Sequence, residues 1–399
     1  MGIQKEVGEG ALEEAIKLYK EVIADKNAER KITANAQLHI GICYEKLGVG
    51  KAKEAYQNVL ENFPDQHDVV AEAKKRLAKF EPELSTVNPE AREAYLKAVH
   101  YQKLGPEYFF KFLDYYKEAI SYDSTFAEAY SALAKLHAFS GRLGTPKERM
   151  PIAKANAQKA LELDINLGEA HTVLGLVNMY YYWDWAQAEE EFQYAIELNP
   201  NDVEAMQLYS QLLASQGRLE DALLELERAL NINPVNHWVN ESLADLYYYM
   251  HDYDRAIKQY QKTIDLNPRT RVTHLKLSSV YHIKNMVDKE IQSLYKYFNA
   301  LGYTELAELI NKTYMESGYN DAMWEWIKAW EPSGKSGGIQ ASSIARIYMR
   351  IGEHAKAIEW LHIGYELRGN AMIKLGIIPE YDELRSDERF LELLGKIGL

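Results

Sequence analysis

The stretch AQAEEEFQYAIELNP at residues 186–200 returns as EDALLELERALNINP at 220–234 and as DRAIKQYQKTIDLNP at 254–268. Each copy ends in a proline and places small, bulky and small residues at its third, seventh and tenth positions. In the first copy these are Ala188, Phe192 and Ala195. Spacings of four and three residues return a helix to the same face, and a proline cannot continue its hydrogen-bond ladder. The stretch therefore predicts a helix with one packed face, repeated every 34 residues.

A first helix precedes each of these closing helices, with a bulky and a small residue together and an aromatic residue three positions later. The most complete copy consists of Leu243, Ala244, Tyr247, Ala256, Tyr260 and Pro268. Small residues are needed where two helices cross closely, and large residues fill the space between hairpins. A 34-residue unit of two helices with this pattern resembles the tetratricopeptide repeat.

Weaker copies of the unit extend over nearly the whole chain. The resemblance implies an all-α fold, a right-handed α-solenoid of about eight or nine helical hairpins with a C-terminal capping segment. We expect N-terminal hairpins and a linker in residues 1–88, a central array in 89–302, and divergent hairpins with a capping tail in 303–399. The turn from Arg142 to Pro151 is expected to be long and extended, and the aromatic run at 180–185 is expected to form a turn one residue longer than usual.

A narrower resemblance lies in residues 88–124, 182–200 and 379–399. The tail from Pro379 to Phe390 is similar to the end of repeat regions that follow kinase, adenylate-cyclase, TolB-like or DNA-binding domains in bacterial signalling proteins. None of those domains is recognisable in this sequence, and Glu388 stands where the family usually has proline. The tail is expected to cover the last hairpin with Leu384, Phe390, Leu393 and Leu394, since a solenoid needs capped ends.

The formal net charge of the 399-residue chain is −13 at pH 7, from 59 acidic and 46 basic residues. Binding to a nucleic-acid backbone needs a basic surface, so a nucleic-acid partner is not expected. The single cysteine, Cys43, excludes a disulfide within the chain. No apolar run approaches the roughly 18 residues that span a bilayer, so membrane insertion is not expected. We expect the protein in the cytoplasm, or in the periplasm if an upstream signal has been removed.

Residue patterns typical of enzymes are missing from the sequence. The tripeptide Gly334-Lys335-Ser336 resembles the end of a phosphate-binding loop, but Ala329 stands where the loop needs its first glycine. The eleven histidines are scattered, and no serine lies in a Gly-x-Ser-x-Gly context. The sequence therefore predicts no catalytic residue, no metal ligand and no cofactor, and it favours a non-enzymatic protein.

Binding is better supported, because stacked hairpins of this kind form a concave groove lined by their first helices. The register of the central array predicts an acidic lining with aromatic side chains, formed by Tyr180, Glu204, Gln207, Gln211, Trp238, Glu241, Asp245, Tyr248, Tyr249 and His282. For Tyr248 and Tyr249 a second interpretation stays open, in which they pack against the neighbouring hairpin. This lining favours a peptide or partner domain that carries Lys or Arg and an apolar side chain.

The sequence thus predicts a protein-interaction scaffold, a regulatory or adaptor module of a bacterial signalling system. An alternative is a structural assembly protein that forms homo-oligomers through degenerate units near residues 290–336 or through an exposed end.

Overall fold

The computed structural model describes residues 9–25, 28–46, 51–77, 87–335 and 338–399, and all regular secondary structure in these ranges is helical. The chain divides into two compact units, Met1–Phe126 with Asn199–Asn201 and Ala127–Leu198 with Asp202–Leu399. The predicted organisation into residues 1–88, 89–302 and 303–399 stays a prediction, and most of its linker, residues 78–86, lies outside the described ranges. No described helix is both long enough and apolar enough to cross a membrane.

The described residues of the first unit form six α-helices. They are α1 Glu9–Ala24, α2 Arg30–Lys46, α3 Lys51–Asn62, α4 His67–Leu77, α5 Pro89–Leu104 and α6 Phe109–Tyr122. Helix α5 begins at Pro89, because the side chain of Asn88 accepts hydrogen bonds from the backbone N–H groups of Glu90 and Ala91, and Pro89 occupies the first helical position.

The second unit contains fifteen α-helices in its described residues. They are α7 Ala127–Phe139, α8 Pro146–Leu163, α9 Gly168–Val177, α10 Trp185–Leu198, α11 Val203–Ser215, α12 Leu219–Ile232, α13 His237–Tyr249, α14 Tyr253–Leu266, α15 Val272–Ile283, α16 Val287–Ala300, α17 Thr304–Ser317, α18 Tyr319–Gly334, α19 Gly338–Arg350, α20 His354–Glu366 and α21 Glu388–Ile397. Shorter 3₁₀ segments, Asn370–Lys374 and Pro379–Leu384, lie between α20 and α21.

Neighbouring helices pair into hairpins, beginning with α2 and α3, then α5 and α6, and continuing in order from α7 and α8 to α19 and α20. The described part of the chain thus contains nine hairpins, and the predicted α-solenoid is confirmed. Helices α10, α12 and α14 end at Leu198, Ile232 and Leu266, each two residues before the proline of its repeat. The predicted stripe of Ala188, Phe192 and Ala195 is fully buried.

The turn between α7 and α8 corrects one expectation, because the connection is shorter than residues 142–151. Helix α8 begins at Pro146, and the carboxylate of Glu148 accepts a hydrogen bond of 2.7 Å from the backbone N–H of Thr145. This capping contact starts the helix before Pro151, which lies inside it. A proline inside a helix removes one backbone hydrogen bond and crowds the carbonyl four residues earlier, so the capping contact must outweigh this cost.

The aromatic run after α9 forms the longer turn that the sequence predicts. Residues Asn178–Tyr182 make a π-helical turn, which accommodates the extra residue, and Trp183 ends it in the left-handed region at φ 57°. A bulky residue rarely adopts that conformation. The ring of Trp183 stacks on Tyr365 of α20, with ring centroids 5.1 Å apart, so tertiary packing holds the turn in place.

The C-terminal tail covers the last hairpin, as predicted. Leu384, Phe390 and Leu393 are buried, and Leu394 is partly buried against the same core. The tail also reaches back to α10, because the indole N–H of Trp185 donates a 2.7 Å hydrogen bond to the backbone oxygen of Ile397. The second unit therefore joins its first hairpins to its last residues.

Candidate partner-binding groove

A cavity of about 530 Å³ lies in the second unit, along the first helix of each of four consecutive hairpins. Its walls come mainly from α7, α9, α11 and α13, as expected for the concave side of a solenoid. Half of the predicted groove residues line it, namely Tyr180, Glu204, Gln207, Gln211 and Trp238. Asn370, from the segment after α20, also lines the cavity.

Hydrogen bonds between neighbouring hairpins hold the polar residues of the cavity in place. The hydroxyl of Tyr180 donates to Gln211 Oε1 at 2.5 Å, and Gln207 Nε2 donates to Ser242 Oγ at 2.7 Å. Burial raises the pKa of the Tyr180 hydroxyl, so it stays protonated and remains a donor. These side chains therefore form a fixed polar floor.

Glu204 supplies negative charge at the cavity wall and shares one lysine with a second carboxylate. Lys135 Nζ lies 2.6 Å from Glu204 Oε2 and 2.9 Å from Glu169 Oε1. Burial alone would lower the pKa of Lys135, but the two carboxylates outweigh it and raise that pKa. One positive charge against two negative charges leaves this side of the cavity acidic.

Two aromatic side chains of the cavity are open to solvent. Trp238 is 61% exposed and Phe139 is 47% exposed. Trp238 lies in the first turn of α13, where its backbone N–H donates a 3.0 Å hydrogen bond to Asn236 Oδ1. Exposed aromatic rings on fixed helices are typical anchors for a partner, because little side-chain entropy is lost on binding.

Glu241, Asp245 and Tyr249 lie farther along α13, where lysines of the same chain contact them. Lys276 Nζ lies 2.8 Å from Asp245 Oδ2 and 3.3 Å from Glu241 Oε2. Lys374, from the segment after α20, places its Nζ 3.8 Å from Asp245 Oδ2 and 6.0 Å from the ring centroid of Tyr249. Lys374, a basic residue from the C-terminal segment of the same chain, thus occupies this stretch of the groove.

Charge neutralisation in this stretch is visible in the state of Asp245. Burial alone would raise the pKa of its carboxyl group, but Lys276 and Lys374 outweigh that effect and lower the pKa. Tyr260 also donates its hydroxyl to Asp245 Oδ1 at 2.6 Å. Asp245 is therefore ionised and fully engaged within the chain.

Tyr248 and His282, the other two predicted groove residues, lie away from the cavity. Tyr248 is buried in a core cluster with Ala256 and Tyr260 of α14 and with Leu277 of α15, and packing of Tyr248 and Tyr249 against the neighbouring hairpin stays a prediction. The ring of His282 stacks on Tyr319 with centroids 5.9 Å apart, and its Nδ1 lies 3.2 Å from Glu290 Oε2. The structure does not bring the ten predicted residues into one surface.

Around Glu290, a buried network of charged groups connects α15, α16, α18 and α19. Arg350 Nη1 lies 3.0 Å from Glu290 Oε1, and Arg350 Nη2 donates to Ser279 Oγ at 2.7 Å. The Tyr319 hydroxyl donates to Glu290 Oε1 at 2.7 Å. Arg346 contacts Ser279 and Glu380, and so extends the network to the C-terminal segment. This network therefore ties Ser279 of α15 to α19 and to the C-terminal segment.

Sequence reasoning did not identify Phe139, Arg149 and Lys374 as groove residues. Phe139 ends the first helix of its hairpin, so applying the groove register one hairpin earlier would have found it. Arg149 and Lys374 come from a second helix and from a non-repetitive segment, and periodicity carries no signal for either.

Other side chains with possible chemistry form no site in the described part of the chain. In the described part of the chain, no group of three or more His, Cys, Asp or Glu side chains is arranged to hold a metal ion. Cys43 is buried in the first unit. Gly334 lies in the last turn of α18, where an added Cβ would lie 2.6 Å from the ring of Trp360, while Ser336 lies outside the described ranges.

Comparison with known families finds three matches, each described as tetratricopeptide repeat. They cover residues 35–65, 184–239 and 242–298. The last two include the three copies of the 34-residue repeat almost completely. Proteins built from such repeats present concave surfaces to protein partners.

Comparison with solved structures finds matches at low sequence identity. Human IFIT1, solved as a dimer with m7Gppp-AAAA, is 16% identical, with a TM-score of 0.50 over 90% of this chain and 86% of that chain. YrrB, described as a TPR protein with an unusual peptide-binding site, is 20% identical over 49% of this chain and 97% of its own, with a TM-score of 0.34. PilF from Pseudomonas aeruginosa is 17% identical over 67% and 99%, with a TM-score of 0.39. The family matches thus identify tetratricopeptide repeats in residues 35–65, 184–239 and 242–298 of this chain.

Proposed function

We propose that this protein is a non-enzymatic interaction scaffold that holds a peptide segment of a partner protein in the cavity between α7 and α13. The observation that carries the proposal is the pair of exposed aromatic rings, Phe139 and Trp238, on the wall of a 530 Å³ cavity. That volume is in the range of ligand-binding clefts. The fixed polar floor of Tyr180, Gln207 and Gln211 offers hydrogen bonds to a peptide backbone.

The cavity favours a segment with an apolar side chain and a Lys or Arg. An apolar side chain is suited to the ring of Phe139, while a cation gains from the face of Trp238 and from Glu204. The same chain provides an example of this chemistry farther along the groove, where Lys374 contacts Asp245 and faces Tyr249.

The tail at residues 379–390 resembles repeat regions of bacterial signalling proteins. On that resemblance we place the scaffold in the bacterial cytoplasm, as a regulatory or adaptor module of a signalling system.

The test is a selection of random twelve-residue peptides, displayed on phage, against the full chain. Peptides that are enriched are then synthesised, and their affinity is measured by fluorescence anisotropy against wild type, Trp238→Ala and Phe139→Ala. Each substitution is expected to weaken binding about tenfold or more, because both rings are central apolar contacts. Leu224→Ala is the matched control, since Leu224 is 59% exposed on α12 and does not line the cavity. Equal affinity of all variants would refute the proposal.

Self-association is a second candidate, favoured by the surface of α16 and α17. A cleft of about 430 Å³ lies between these helices, and Met315 on its wall is 77% exposed. Exposed apolar residues around a cleft are typical of interaction sites. If this surface forms the oligomer, sedimentation velocity will show a concentration-dependent species that Met315→Glu removes. A monomer at every concentration would eliminate this candidate.

A further inference from the structure

Arg149 is a buried arginine on the wall of the same cavity. It lies in the second turn of α8 and is 6% exposed. Arginine remains protonated in proteins, so its positive charge is present at neutral pH. Burying a charge is costly unless hydrogen bonds and an opposite charge compensate it. The groups that contact the guanidinium therefore show whether its charge is compensated within the chain or needs a ligand.

Backbone oxygens provide part of the compensation. Arg149 Nη1 donates to the carbonyl of His137 at 3.0 Å and to the carbonyl of Ala138. Both carbonyls are in the last turn of α7, where the helix carries a partial negative charge. This contact caps α7 and is a structural role that Arg149 has in the absence of a partner.

An opposite charge is not provided within the described part of the chain. No neighbouring carboxylate there acts on the Arg149 guanidinium, and its Nε is buried without a hydrogen-bond partner. Burial lowers the pKa of this guanidinium, with no neighbouring charge to oppose the effect. The buried Arg350 differs, because it contacts the carboxylate of Glu290. Arg149 is thus a buried cation whose counter-ion is missing.

We propose that Arg149 pairs with the side-chain carboxylate of an Asp or Glu in the bound peptide segment, an inference that rests on the proposed function. A singly charged carboxylate fits better than a doubly charged phosphate, because Glu204 lines the same cavity and the chain carries a net charge of −13. The exposed ring of Phe139, on the same hairpin, provides space for an apolar side chain next to the acidic one. A side-chain carboxylate lets the segment continue past Arg149 toward this ring.

The arrangement separates two charges of the bound segment. Arg149 belongs to the hairpin of α7 and α8, whereas Trp238 begins α13, three hairpins farther along the array. The segment is therefore expected to carry its acidic residue toward the α7 end and its Lys or Arg toward the α13 end. This order gives the segment a single direction in the groove.

The experiment uses the peptides selected from the random library on the full chain. Enriched sequences should contain an Asp or Glu beside an apolar residue, and Glu→Gln in the peptide should weaken binding to wild type about tenfold. The same change should have no further effect on binding to Arg149→Met, which keeps an apolar stem of similar length. That coupling distinguishes pairing with the ligand from a purely structural role, which would affect both peptides equally.

Other outcomes overturn the inference. If blocking the peptide C-terminus by amidation abolishes binding and Glu→Gln does not, the anion comes from the chain end. If Trp238→Ala weakens binding while neither Glu→Gln nor Arg149→Met has an effect, the proposed function stands and Arg149 has no ligand. Should Arg149→Met fail to fold, Arg149→Lys keeps the charge, and Glu→Gln must then still weaken its binding.

Discussion

Small residues in the hairpin crossings control how closely two helices approach each other. Gly175 in α9 faces Phe192 in α10, and a Cβ added at Gly175 would lie 2.7 Å from the ring. Ala188 and Ala195 flank Phe192 on the same stripe and are fully buried. The small, bulky, small spacing of the repeat is therefore a packing requirement, and its cost can be measured at one position.

Ala188→Leu is expected to destabilise the protein by about 1 to 3 kcal/mol, because three added carbons must enter a filled crossing. Ala186→Leu, two residues earlier in the same helix, is the matched control, since Ala186 is exposed. Urea denaturation followed by circular dichroism gives the free energy of unfolding of both variants. If Ala186→Leu lowers the free energy of unfolding as much as Ala188→Leu does, crowding in the helix crossing is not the cause of the destabilisation.

Between elements, charge pairs and hydrogen bonds attach the C-terminal helices to α15 and α16. The Arg350–Glu290 pair is buried, and Arg346 and Glu380 extend it to the segment after α20. A buried pair contributes little in net terms, because both charges lose their hydration. Breaking it is costly, because one charge is left without its partner.

Arg350→Met is expected to destabilise the protein by about 3 kcal/mol, whereas the double variant Arg350→Met with Glu290→Gln should lose less than the sum of the single variants. The exposed pair of Lys328 and Glu325 in α18, 2.7 Å apart, is the control. Glu325→Gln should change stability by less than about 1 kcal/mol. Urea unfolding of all four variants measures this coupling, and additive effects of the buried substitutions would contradict it.

Across the whole second unit, the last residues contact the first hairpins. Arg368 places its guanidinium carbon 3.8 Å from the ring centroid of Trp183 and donates from Nη1 to the backbone oxygen of Tyr181 at 3.1 Å. The indole N–H of Trp185 donates a hydrogen bond to the backbone oxygen of Ile397. An ordinary solenoid has contacts only between adjacent repeats, so its repeats can open separately. These contacts between distant repeats are expected to make unfolding of the second unit more cooperative than that of a linear array.

Arg368→Ala is expected to speed amide hydrogen exchange both in residues 168–198 and in residues 354–399, because each region loses the same contacts. Mass spectrometry of the deuterated protein measures both regions at once. Arg389→Ala is the control, since Arg389 is exposed and pairs with the neighbouring Asp387. Faster exchange confined to residues 354–399 would show that the two regions are not coupled.

The repeat by itself determined the hairpins, the residues at their crossings and the first helices that carry half of the predicted groove residues to the cavity wall. These features depend on contacts between residues that are close in sequence or one repeat apart, so periodicity records them. Glu241, Asp245 and Trp238 lie on the expected first helix for this reason. The early start of α8 was missed, because the capping contact of Thr145 and Glu148 outweighs the usual effect of Pro151.

Only the tertiary structure decided which part of that lining remains open. The segment after α20 follows no repeat, and it brings Lys374 to Asp245 from 129 positions away in the sequence. Likewise, the charge of Arg149 is evident from the sequence, but its lack of a counter-ion depends on every element that surrounds it. Such long-range contacts do not follow the repeat period of the sequence, because they form only when distant parts of the chain have packed together.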